Sequence, residues 1–161
     1  MTEHELFAKA LMFATEKHTG QTRKEGTPYI YHPIKVAELL KDEGYELSYQ
    51  MAGVLHDVLE DTDATEDDVR VFGEEVLEAV KLVTRPEGMD EEQYVQAILQ
   101  NPMAKAVKNA DKIHNMGDLV KAPNKDWAKR YVQKVKKYYG GRFSDELDAA
   151  IENARLMILE D

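Results

Sequence analysis

The segment His56-Asp57-Val58-Leu59-Glu60-Asp61-Thr62 puts one imidazole and three carboxylates close together, directly behind the apolar run Met51 to Leu55. Continued as one helix at about 100° per residue, it gathers His56, Asp57, Glu60 and Asp61 on one arc, with Leu55, Val58 and Leu59 opposite. Such a helix works against itself. Asp57 and Asp61 are like charges at i,i+4, and Glu60 and Asp61 lie near its C-terminal end, where the dipole disfavours anions. A cation over this face turns the repulsion into attraction and leaves a carboxylate free for proton transfer. The plainer alternative is a solvated acidic helix end in a chain that is acidic throughout.

A metal site needs ligands from elsewhere in the chain, and two positions offer them. His32 precedes Pro33, which biases its backbone towards an extended conformation at the mouth of the helix expected from Pro33. Asp111 follows Ala110 inside an apolar helical pattern and has Asn115 one turn on. A carboxylate in such a setting requires a partner, because an unpaired buried charge is costly. Lys108 or Lys112 could supply one as an ordinary salt bridge.

The composition fits this chemistry and excludes others. With 161 residues, 43% hydrophobic and 32% charged, the chain is expected to form one domain over residues 1–161 with its own core. It has no cysteine, which rules out disulfides, thiolate nucleophiles and Cys-based metal centres and leaves His, Asp and Glu as charged ligands. Glu3, Glu5 and Lys9 interrupt the apolar residues of the first segment, which therefore does not resemble a secretory signal. No apolar run approaches the length of a membrane span, so a cytoplasmic protein is expected. The net charge of −10 argues against nucleic acid or an anionic membrane as partner. A small anionic substrate remains compatible, since a metal and a few cations can reverse the field inside one cleft.

Helical periodicity accounts for most of the remaining chain. It predicts a first helix over residues 3 to 17, an irregular stretch from His18 to His32, and a helix from Pro33 to Gly44. Beyond the acidic segment, short helices are expected over 65–71 and 74–84, then longer ones over 90–101, 102–120, 125–139 and 144–160. No stretch alternates convincingly as a strand, so the fold class is all-α, an irregular multi-helix bundle. Lys121, Lys125, Lys129, Arg130, Lys134, Lys136, Lys137 and Arg142 form a basic stretch against the single acid Asp126. Its simplest meaning is a solvated helix face, and the sharper one a surface that guides phosphate or a partner.

His32, the pair His56 and Asp57, and Asp111 together offer two imidazoles and two carboxylates from separate helices, a set suited to Mn²⁺, Fe²⁺ or Zn²⁺. Their order resembles the ligand pattern of the HD phosphohydrolase superfamily. The run from His18 through Arg23-Lys24-Glu25-Gly26-Thr27-Pro28 to His32-Pro33, the run His56 to Thr62, and Asp111-Lys112-Ile113-His114-Asn115-Met116 further resemble the hydrolase domain of the RelA/SpoT family. His4, His18 and His114 show no pattern for a second metal, so one ion is expected.

The resemblance implies an HD-domain bundle and a Mn²⁺-dependent hydrolase that removes the 3′-pyrophosphate of guanosine tetraphosphate and pentaphosphate, with Zn²⁺ or Fe²⁺ as other possible ions. It implies that His32, His56, Asp57 and Asp111 hold the metal and that Glu60 and Asp61 position or activate water. Arg23 matches a residue that packs on guanine, Lys24 one near phosphate, and Asn115 one that contacts the nucleoside. Long family members continue into a synthetase domain, so a stand-alone hydrolase without synthesis activity is expected. The family's tyrosine after the tryptophan could correspond to Tyr131, Tyr138 or neither. Two alternatives stand beside this reading: a phosphohydrolase acting on another nucleotide such as NADPH, and a non-catalytic alarmone-binding domain.

Overall fold

Six helix starts are fixed by side chains that satisfy free backbone N–H groups, two of them by Asp90 and Ser144. Thr2 and Glu5 cap reciprocally, as do Thr65 and Asp68, while the amides of Asn101 and Asn124 accept from the backbone of Ala104 and Trp127 at 2.9 Å. Each such cap contributes about 1 kcal/mol. The last two start the helices that carry Asp111 and Trp127.

The computed structural model describes residues 1–160. Its helices are α1 (Glu3–Lys17), α2 (Tyr31–Asp42), α3 (Leu47–Leu55), α4 (Val58–Asp61), α5 (Glu66–Arg70), α6 (Glu74–Val83), α7 (Glu91–Leu99), α8 (Pro102–Asp118), α9 (Lys125–Tyr139) and α10 (Asp145–Glu160). Among the described residues there is no strand, only an isolated bridge between Thr22 and Pro28. No helix is long and apolar enough to cross a membrane. The expected all-α bundle is what forms.

The core is organised on α3 and α8. Residues Gln50 to Leu55 of α3 are all buried, and the helix packs against α1, α2, α6 and α8. Gly53 makes the α2 contact close: a Cβ there would lie 2.8 Å from Leu40 Cδ1 and 3.3 Å from Val36 Cγ1. Helix α8 also meets α2, α7 and α10. Three chain segments distant in sequence thus converge where the candidate ligands lie.

Two expectations about the backbone are corrected. The acidic segment does not continue the preceding helix; α3 ends at Leu55 and α4 begins at Val58. The carbonyl of Gly53 explains the break. It accepts from His56 Nδ1 at 2.7 Å and from the His56 backbone N–H at 3.5 Å, in place of the Asp57 N–H that a continuous helix would use. Glu60 and Asp61 therefore lie in the first turn of α4, and the argument from the C-terminal dipole does not hold. The second correction concerns His32, which is helical: α2 begins at Tyr31, not Pro33. Tyr31 N–H donates to Pro28 O and His32 N–H to Tyr29 O, leading the chain into α2, while Pro33 occupies the first turn, where a missing N–H costs little. The other predicted boundaries agree to within one or two residues.

Candidate active site

His32 from α2, the His56-Asp57 break and Asp111 from α8 meet at one point. His32, His56 and Asp57 each offer a ligand atom within 4.8 Å of the others. Asp111 Oδ1 lies 2.7 Å from His32 Nε2 and 3.3 Å from His56 Nε2, and His56 Nε2 is 2.9 Å from Asp57 Oδ2. Because His56 Nδ1 donates to Gly53, its neutral ring presents a lone pair at Nε2. That buried atom makes no hydrogen bond despite its carboxylate neighbours. A lone pair and anionic oxygens pointed at one place require a cation between them, so the donor set fits a divalent metal.

The electrostatics agree. Burial disfavours a charged His56, yet the carboxylates of Asp57 and Asp111 outweigh it and hold the imidazole up to about 10, so a proton there does what a metal ion would do. Burial likewise opposes ionised Asp57, but His56 keeps its carboxyl well below the usual range. His32 is shifted down by burial against the pull of Asp111, which favours the neutral ring a ligand needs. Lys108 Nζ stands 3.5 Å from Asp111 Oδ2, the oxygen turned away from the histidines.

Glu60 and Asp61 are exposed beside this centre. Partial burial raises the pKa of both, and Asp57 adds to the shift, while Lys108 opposes it at Glu60 and His18 at Asp61. Tyr29 donates its hydroxyl to Asp57 and, at 3.4 Å, to Asp61 Oδ2, tying the early loop to the acidic segment.

An adjoining cavity of about 250 Å³ is lined by Arg23, Lys24, Tyr29, Asn115, Trp127 and Tyr131, among others. The loop that brings Arg23 and Lys24 here closes through Gly26 N–H to Arg23 O and Arg23 N–H to Thr27 O, with Gly26 at φ +95°, where a side chain would be strained. Trp127 and Tyr131, one turn apart on α9, stack with centroids 5.1 Å apart and planes 9° from parallel. Lys24 Nζ lies over the indole at 4.4 Å. Asn115 joins cavity to centre: its Nδ2 donates to Asp111 Oδ1 at 3.3 Å and to Tyr131 Oη at 3.2 Å, and its Oδ1 accepts from Arg23 Nη2 at 3.1 Å.

A family model described as HD domain matches residues 10–140. The chain is 41% identical over 135 residues to a guanosine-3′,5′-bis(diphosphate) 3′-pyrophosphohydrolase of Mus musculus, an alignment covering 78% of this chain and 75% of that protein. The chain belongs to the RelA/SpoT branch of the HD-domain family. It is also 36% identical over 123 residues to the bifunctional (p)ppGpp synthase/hydrolase SpoT of Escherichia coli strain K12, covering 69% of this chain and 18% of that protein. A solved metazoan ortholog of SpoT, which hydrolyzes ppGpp and plays a role in starvation responses, superposes with a TM-score of 0.74 at 30% identity over 92% of this chain and 93% of the other.

Within this HD-domain scaffold, the nine residues singled out in the sequence divide between the polar centre and the adjoining cavity. Tyr131 lines that cavity, whereas Tyr138 borders a separate surface groove with Arg85 and Arg130. Sequence reasoning missed three participants, Tyr29, His114 and Asp118, whereas Lys108, read only as an ordinary salt-bridge partner, does pair with Asp111. His114 Nδ1 lies 2.7 Å from His32 Nδ1, a contact that no spacing within one helix could disclose. Burial and the neighbouring His32 push its ring down to about 4, so it is neutral at neutral pH. His4 is exposed, and His18 is buried against Gln21; neither joins the HD-type set.

Proposed function

We propose that this chain, as one domain over residues 1–161, is a cytoplasmic Mn²⁺-dependent hydrolase that removes the 3′-pyrophosphate from guanosine tetraphosphate and pentaphosphate. The observation that carries the proposal is the junction made by Asn115, which links a cation-demanding His/Asp centre to a cavity of planar aromatic and guanidinium groups. A substrate with a flat base at one end and a scissile phosphoryl group about a ribose away matches that layout. The relatives named for this activity support the same substrate class.

In this reading His32, His56, Asp57 and Asp111 hold the ion. When bound, it acidifies a water molecule and neutralises charge on the phosphoryl oxygens. Glu60, whose pKa burial raises, accepts the proton as water attacks the phosphorus borne on the 3′-oxygen. The bond from that phosphorus to the 3′-oxygen breaks and that oxygen takes up the proton Glu60 received, giving pyrophosphate and a 3′-hydroxyl on GDP or GTP. Asp61, held through Tyr29, orients the water. Arg23 packs on guanine beside Trp127 and Tyr131, Asn115 contacts the nucleoside, and Lys24 attracts phosphate.

The decisive experiment incubates metal-stripped protein, with and without Mn²⁺, with guanosine tetraphosphate and separately with NADPH, and separates the products. Mn²⁺-dependent GDP and pyrophosphate are expected. Phosphate from NADPH alone would keep the site and overturn the substrate; no product from either, with Mn²⁺ bound, would favour a binding domain.

A further inference from the structure

The side chain of Asp118, on the last turn of α8, touches both halves of the site. Its Oδ2 lies 3.3 Å from Arg23 Nη2, on the cavity side, and 3.4 Å from His114 Nε2. Its other oxygen is 3.5 Å from Lys121 Nζ. His114 in turn meets His32 Nδ1 to Nδ1 at 2.7 Å, with the two ring planes only 19° apart.

The proton positions along this chain follow from its chemistry. A nitrogen-to-nitrogen contact of 2.7 Å needs a hydrogen on one atom and a lone pair on the other. If His32 Nε2 is a ligand, its hydrogen resides on Nδ1, so His114 Nδ1 accepts and His114 carries its own hydrogen on Nε2, facing Asp118 Oδ2. Metal-ligating histidines generally use their second nitrogen in this way, and the partner fixes both ring orientation and basicity. Here the partner is a second imidazole that ends on a carboxylate.

We infer that His114 and Asp118 are positioning residues that couple base binding to metal binding through the path Arg23, Asp118, His114, His32. The inference rests on the proposed metal site. With the cavity empty, Arg23 draws on the same oxygen that receives His114. A base whose packing draws the Arg23 side chain towards the cavity releases that oxygen to the imidazole, which makes His114 a stronger acceptor and His32 a better ligand. By linkage the effect is reciprocal: the metal tightens base binding by the same factor.

The test measures Mn²⁺ affinity by chelator competition, with and without saturating guanosine, a probe that carries a base and ribose but no phosphate to capture the ion. In the unaltered protein guanosine should tighten Mn²⁺ binding about 5-fold, the low end of ordinary coupling. His114→Phe should weaken Mn²⁺ binding about 10- to 100-fold. His114→Gln, whose amide oxygen can accept from His32, should recover most of that loss and serves as the folded control. Asp118→Asn should retain most of the affinity but lose the guanosine effect. Unchanged Mn²⁺ affinity in His114→Phe, or an undiminished guanosine effect in Asp118→Asn, would overturn the relay while leaving the metal site standing. Failure of the unaltered protein to bind Mn²⁺ would overturn both.

Discussion

Lys108 holds one oxygen of Asp111 while the other faces the two histidines: Nζ to Oδ2 is 3.5 Å, and Oδ1 lies 2.7 Å from His32 Nε2. Both residues are nearly buried, with side chains 11% and 8% exposed. Lys108 is therefore part of the site's charge balance, not merely the plain salt bridge that its sequence position allows. Burial works against its charge, but Asp111 keeps its pKa well above the ordinary lysine value. Removing one member of such a pair strands the other, at about 3–5 kcal/mol. Lys108→Met should accordingly lower the melting temperature of the metal-free protein by about 6–20 °C, at about 2–4 °C per kcal/mol for a chain of this size. Added Mn²⁺ should restore part of that loss. A calorimetric scan showing no change would remove Lys108 from this role.

The ligands and the base should separate cleanly by mutation. Asp111→Ala should lose bound metal and with it all metal-dependent turnover. Glu60→Gln should retain metal but lose about 10²- to 10⁴-fold in rate, the usual contribution of a positioned base. Metal content by atomic emission alongside turnover checks both, and full activity in either variant would strike that residue from its assignment.

The pH profile should carry the mark of Glu60. Burial, with help from Asp57 and Asp61, raises its pKa against the opposing pull of Lys108. A base acts in its ionised form, so activity falls as pH drops through the raised value, at a higher pH than an unperturbed carboxylate would give. Lys108→Met should move this acid limb higher still. An acid limb at an ordinary carboxylate value in both proteins would show that another group carries the proton.

Stacking should dominate binding of the base. Trp127→Ala removes one of two parallel rings beside Arg23. At about 1–3 kcal/mol per stacked base, KM should rise roughly 5- to 150-fold with a much smaller change in kcat. Equal falls in kcat and kcat/KM would instead assign the ring to the reacting end.

Close helix contact should be equally sensitive. Gly53→Val introduces atoms where a Cβ alone comes within 2.8 Å of the buried Leu40 side chain. Overpacking of this kind costs about 1–3 kcal/mol. Thermal melting should register it, and added metal should stabilise this variant less than the unaltered protein, since α2 is displaced from the turn that carries His56.

Much of this was visible in the residues themselves. Asn124, which caps α9, and Gly140 at its other end mark the helix as Lys125 to Tyr139, as the spacing predicted. Trp127 and Tyr131 meet because they are one turn apart. The break at His56 was hidden because it depends on a side chain competing for the Gly53 carbonyl, which periodicity does not report. His114 was hidden for a different reason: its partner lies 82 residues away, so α8 alone gives no hint of it. The basic stretch proved mixed. Lys129, Arg130, Lys136 and Lys137 are solvated, whereas Arg142 pairs with Glu92 at 2.8 Å and Lys121 reaches Asp118.

The contact between His32 and Asp111 spans 79 residues of chain. A cation shared by those two side chains would close that span as a covalent bridge does, shrinking the unfolded ensemble by closing a long loop. In a chain without cysteine, the catalytic ion would then double as a reversible staple between the two halves of the domain. Stripping the metal would loosen the attachment of α8 to α2 as well as stop the chemistry.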